Sequence, residues 1–199
     1  MKYKLTDVKI NFMGKTLFQI EAVKCFGDIV KGQKGGFIEK ESNLSQSCNA
    51  WVYGDAKVYG NAEVYGDAEV YGNAWVSGNA KVYGDAKVYG NAWVSGDAEV
   101  SGDAKVYGNA KVYGNAKVYG DAEVYGNADY LVIGPIGSRN DITTFFKTAN
   151  NDIKVSCGCF TGNIEEFLEK VNETHGNNNY AKEYKTAVEI AKIHIFGGE

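Results

Sequence analysis

From residue 49 to residue 129 the chain repeats one six-residue phrase, Asn/Asp-Ala-x-Val-Tyr/Ser-Gly, thirteen times without a gap. Val is flanked by two outward positions, Ala four residues later is a second small inward position, and Gly-Asn or Gly-Asp lies between them. The pattern predicts strands of about four residues, Ala-x-Val-Tyr, joined by glycine corners at which positive φ costs little. Strands this short cannot bury Val and Ala unless the run coils on itself. Before the repeat, Tyr3–Ile10 and Thr16–Cys25 alternate apolar and polar residues around Met13-Gly14-Lys15, which predicts a β-hairpin. With the glycine-rich stretch 27–36 it is expected to cap the open end of the coil. After Asp129 the register breaks. Strands are predicted at Tyr130–Ile133, Ile142–Lys147 and Ile153–Cys157, followed by a helix opened by Asn163 with Glu166 as its capping box, and a second helix from Tyr180 to about Ile195. The expected division is a β cap over 1–48, a repeat domain over 49–129 and a small α+β domain over 130–199.

The phrase Val52-Tyr53-Gly54-Asp55-Ala56-Lys57 resembles the hexapeptide repeat of left-handed parallel β-helices, which have three faces and eighteen residues per turn. The expected fold class is therefore mainly β. Dividing the repeat by eighteen tests that period. Tyr53, Tyr71, Tyr89, Tyr107 and Tyr125 fall in one column; Trp75 and Trp93 lie one turn apart, with Ser77 and Ser95 beside them. Glu63, Lys81, Glu99 and Lys117 alternate in sign as a cross-strand ladder would. Asp67, Asp85, Asp103 and Asp121 share one corner, and Asn73, Asn91, Asn109 and Asn127 another. The Tyr strip and the two Trp residues suggest an interface, since large exposed aromatic surface usually marks one. The hexapeptide resemblance implies a homotrimer. The competing reading is that the rings only brace neighbouring turns. For the Asp column, carboxylates bonding their own turn amides are preferred over a bound cation, and no metal or cofactor is expected.

Charge narrows the partners. Residues 1–48 sum to +3, residues 49–129 to −5 and residues 130–199 to −2. None of these is the basic field that nucleic-acid binding usually needs. No stretch approaches the roughly 20 apolar residues of a membrane span, and the start lacks the apolar core of a signal peptide, so a cytoplasmic protein is expected. The four cysteines, Cys25, Cys48, Cys157 and Cys159, are too few for a disulfide scaffold. Hexapeptide acyltransferases generally use a histidine base near a coil edge. Here the repeat has no His and no loop insertion, so the fold does not carry that activity across.

Candidate chemistry therefore lies after the repeat. Gly137-Ser138-Arg139 with Thr143-Thr144 combines hydroxyls, a glycine turn and the only Arg of the chain, a set suited to gripping phosphate or carboxylate. Cys157-Gly158-Cys159 with His175 could supply a nucleophile and a base, or, less well matched in spacing, zinc ligands. Buried structural cysteines are the preferred alternative. The run Gly-Gly-Phe-Ile-Glu-Lys-Glu-Ser-Asn-Leu-Ser, the hexads, then Gly-Ser-Arg, Thr-Thr-Phe-Phe, Val-Ser-Cys-Gly-Cys-Phe-Thr-Gly and Glu-Thr-His, resembles a family of phage- and prophage-encoded hexapeptide-repeat proteins. That resemblance implies a phage setting and a role against bacterial defence. The expected function is a non-enzymatic, oligomeric binding protein holding a small anionic, nucleotide-like ligand or a host protein at Ser138, Arg139, Thr143 and Thr144. Its rivals are a Cys/His-dependent transferase or hydrolase and a purely structural assembly protein.

Overall fold

The computed structural model describes residues 1–197. Each hexad contributes one two-residue rung, x-Val, and rungs eighteen residues apart pair in parallel, as Trp75 with Trp93 and Val76 with Val94. The bonded stretch is longer than the rung. Lys57 N–H donates to the Ala74 carbonyl and Tyr59 N–H to the Val76 carbonyl, both at 3.0 Å, so Ala-x-Val-Tyr is held as the sequence predicts. Three parallel sheets form the three faces of a β-helix, and every Val and Ala from Ala50 to Val124 is at most 1% exposed.

The corners set how closely the coils stack. At Gly78 φ is +68°, and a β-carbon placed there would sit 2.9 Å from both N and O of Gly96 in the next coil. Gly is thus required twice, for the turn and for the approach. The turn bond from Ala80 N–H to the Ser77 carbonyl (3.3 Å) closes the corner with the positive-φ residue first, as in a type II′ turn.

The coil begins before the repeat does. Strands β1 (Tyr3–Phe12) and β2 (Lys15–Ala22) form the expected hairpin, and β3 (Lys34–Ile38) pairs antiparallel with β2 and parallel with the rung Lys57–Val58. Leu44 bridges to Val64 on the second face and Trp51 pairs with Glu69 on the third. This first, irregular coil brings the stack to about five turns. Asn43, fully buried, donates its side-chain amide to the Gly60 and Ala62 carbonyls (3.1 and 2.8 Å), standing in where the repeat's ladder is missing.

The two ends are closed differently. At the first, Lys2 is buried, with Nζ 2.7 Å from the Ala50 carbonyl and 4.9 Å from the centre of the Phe26 ring. At the other lies an antiparallel sheet of β4 (Tyr130–Ile136), β5 (Asp141–Lys147), β6 (Ile153–Cys157) and β7 (Phe160–Asn163), in that order. Its two faces have different partners. Tyr130 and Phe146 join the core of the coil, whereas Phe145, Ile153 and Val155 pack with helices α1 (Ile164–His175) and α2 (Asn179–Phe196). The capping box forms as predicted: Asn163 Oδ1 accepts from Glu166 N–H at 2.8 Å and Glu166 Oε2 from Asn163 N–H at 2.9 Å.

Two outcomes follow for stability. Gly54 has φ +54° with open space around it, so Gly54→Ala should cost about 1 kcal/mol from backbone strain alone. Gly78→Ala adds the clash with Gly96 and should cost about 2–4 kcal/mol in urea unfolding; equal losses would refute the stacking argument. Burial lowers the Lys2 pKa from 10.5 to about 8. Between these values the unfolded chain binds more protons, so the burial penalty is full below pH 8 and is relieved as pH rises towards 10.5. Wild type should therefore gain stability relative to Lys2→Met across that window, and a constant difference in urea midpoint would contradict it.

Candidate functional site

The hairpin turn between β4 and β5 and the tight turn between β6 and β7 emerge at the same edge of the C-terminal sheet, because a meander returns alternate turns to one end. This brings Gly137-Ser138-Arg139 beside Cys157-Gly158-Cys159. The first turn is seated on α2. Gly137 N–H donates to Glu183 Oε2 at 2.6 Å, and a β-carbon on Gly137 would overlap the Tyr184 ring. Arg139 is exposed, and its guanidinium lies on Gly158, where a β-carbon would meet three of its atoms at 3.0–3.3 Å. It makes no ion pair or hydrogen bond among the described residues, although eight Lys–carboxylate ion pairs form elsewhere.

His175, at the end of α1, completes the group. Its Nε2 is 3.4 Å from Ser138 Oγ, and its ring lies 5.9 Å from Tyr184 and 5.8 Å from Tyr180, centre to centre. Tyr184 is the buried floor. Its phenol is pushed up to about 12, first by burial and then by the neighbouring Cys157 thiol, with the Arg139 charge acting in the opposite direction. Parts of two constellations that are separate in the sequence, Ser138/Arg139 and Cys157/His175, are thus one cluster around Tyr184. Tyr184 lies among Ala181, Ala187, Val188 and Ala191 on the buried side of α2, and its hydroxyl, unusual on such a face, was the available signal in the sequence.

Thr143 and Thr144 do not join Arg139 as a pair. Successive residues of β5 point to opposite faces, so Thr143 Oγ1 turns to Cys157 Sγ (3.3 Å) on the helix side. Thr144 Oγ1 instead accepts from Lys117 N–H of the coil (3.2 Å), and both threonines are buried. The thiol of Cys157 therefore meets Thr143 and Tyr184, and no hydrogen bond joins it to His175 among the described residues. Cys159 is exposed on the turn. No grouping of three His, Cys, Asp or Glu side chains suited to a metal occurs among the described residues.

The outward columns of the coil form, with changes in detail. Tyr71, Tyr89 and Tyr107 stack nearly parallel at 4.7 and 4.9 Å, while Tyr53 and Tyr125 meet them edge-on. Tyr65 and Tyr83 stack in a second column, on another face. Trp75 is covered by Phe12 from the hairpin (4.7 Å, edge-on), and Trp93 Nε1 donates to Ser77 Oγ at 3.3 Å, so part of the supposed interface is already occupied within the chain. Glu63, Lys81, Glu99 and Lys117 have the expected register but form no ion pairs among the described residues. Glu99 accepts instead from Tyr119 Oη (2.9 Å) and Tyr83 Oη (3.4 Å), which converge where Ser101 leaves room between them. Burial and then Glu99 hold the Tyr119 phenol above its ordinary value. The ion pairs form on a neighbouring face, Lys87–Glu69 at 3.2 Å and Lys105–Glu123 at 2.7 Å. In the Asp column, Asp67 accepts from Asn49 Nδ2 (2.7 Å) and Asp121 from Lys154 Nζ (2.6 Å), which lowers the Asp121 pKa. Asp67, Asp85 and Asp103 do not bond their own turn amides among the described residues, contrary to expectation.

No protein-family model matches the chain, and a search of curated proteins returns no match.

Proposed function

We propose that the chain is a non-enzymatic binding protein whose C-terminal unit grips an anionic group through Arg139, with the β-helix as its scaffold. The observation that carries this reading is the exposed guanidinium of Arg139, packed against Gly158 and without an ion pair among the described residues, on the turn whose Ser138 Oγ meets His175. A planar fork can meet both oxygens of a carboxylate or phosphate at once. Thr143 and Thr144 have no part in the grip, because their hydroxyls face away from each other. The arrangement is less suited to catalysis. The Cys157 thiol faces Thr143 and Tyr184 rather than the imidazole, and a nucleophile needs its base within hydrogen-bond reach.

Taken with the resemblance to phage proteins, this reading makes the ligand, or a partner loop carrying the same anionic group, a component of host defence. The coil supports it by fixing several copies of the unit in one assembly. The stacked Tyr column supplies a rigid aromatic strip for that contact, and Tyr125 at its upper end is more than 60% exposed.

Calorimetric titration with pyrophosphate and with adenosine monophosphate tests the grip. Binding by the wild type should weaken about tenfold to a hundredfold in Arg139→Ala and remain in Cys157→Ser. Undiminished binding in Arg139→Ala, or loss in Cys157→Ser with the fold intact, would sink the proposal. Light scattering tests the assembly: a mass of about three chains is expected, and the mass of a single chain would leave the Tyr column with only its bracing role.

A further inference from the structure

We infer that the seam between the coil and the C-terminal sheet is a second binding site, for a neutral polyhydroxylated ligand of about monosaccharide size. The seam holds a cleft of about 280 Å³, close to the lower end of small-molecule pockets. Asp97, Glu99, Asn115 and Lys117 line it from the coil, and Asp141 and Ser156 from the sheet. An acidic lining alone would say little. What distinguishes this cleft is Ser156, which is 3% exposed and whose Oγ has no hydrogen-bond partner among the described residues. Ser156 pairs with Thr144 across the sheet, so its side chain is on the face that meets the coil, where Thr144 bonds Lys117. A hydroxyl buried without a partner loses its hydration and gains nothing in return, unless something in the cleft completes it.

The other groups define what that something is. Asp97 Oδ1 is taken by the Asn79 amide, Glu99 Oε2 by the tyrosine hydroxyls and Asp141 Oδ1 by Ile142 N–H, which leaves one oxygen of each carboxylate as an acceptor. Lys117 Nζ forms no ion pair and the Asn115 side chain no hydrogen bond among the described residues, so donors face the same space. Hydroxyl groups both donate and accept and can use the whole set. An anion would meet three carboxylates, and a polyamine would meet the Lys117 ammonium while leaving its donors unused. Gly158 borders the cleft and also carries Arg139, so the two sites are neighbours, but this inference stands without the anion grip.

Saturation-transfer NMR on the full-length protein with D-glucose, D-galactose and D-ribose, and with spermidine and inorganic phosphate as contrasts, tests it. At least one sugar should receive saturation from the wild type. Its affinity should fall about threefold to tenfold in Ser156→Ala and about tenfold or more in Asp141→Ala. Ser156→Ala should melt no lower than the wild type, which separates lost binding from lost structure. The inference is overturned if none of the three sugars binds, if spermidine or phosphate binds in their place, or if Ser156→Ala and Asp141→Ala bind sugar as tightly as the wild type.

Discussion

The close passage of one glycine corner over the next is the contact on which this molecule depends. Strands of four residues have too few hydrogen bonds to stand alone, and they become stable only when each coil rests on its neighbour at the distance the ladder requires. Gly78 reaches that distance because it has no β-carbon to place against Gly96, and its positive φ turns the chain onto the next face. From this follow an interior of Val and Ala along the repeat, aligned columns of side chains outside, and two ends that something else must close.

The ends are where sequence variety, and with it chemistry, enters. An interior of small aliphatic side chains can bind nothing, and the outward columns largely satisfy one another through stacked rings, amide pairs and a few ion pairs. The C-terminal sheet is different because its two faces serve two partners. Phe146 and Thr144 close the coil while Phe145 and Thr143 hold the helices, so strands fixed on both sides present their turns, with Arg139 and Gly158, on a rigid edge. Sites borne by turns on a rigid frame lose little free energy to ordering when they bind.

The sequence was most informative where it repeats. The eighteen-residue period, the Tyr and Asn columns and the capping box at Asn163 were legible because each depends on neighbours one turn or three residues away. The first coil was not, because its inward residues Ile38, Leu44 and Val52 are spaced six and then eight residues apart and no hexad marks it. The paired reading of Thr143 and Thr144 failed on simple alternation: adjacent residues in a strand buried on both faces cannot serve one site. The charge ladder failed because register brings Glu99 opposite lysines without deciding its partner, and two tyrosine hydroxyls nearer to hand prevailed. The meeting of Ser138, Arg139, Cys157 and His175 around Tyr184 could not be read from spacing at all, since it depends on how two helices return across the sheet.

Backbone amide chemical shifts followed during a pyrophosphate titration of the intact chain address the central claim most directly. Saturable shifts are expected at Gly137, Ser138, Arg139, Gly158 and His175, with the rungs from Trp51 to Val112 unmoved. Saturable shifts centred on the corners or outward columns of the coil, or none at the Arg139 turn, would contradict it.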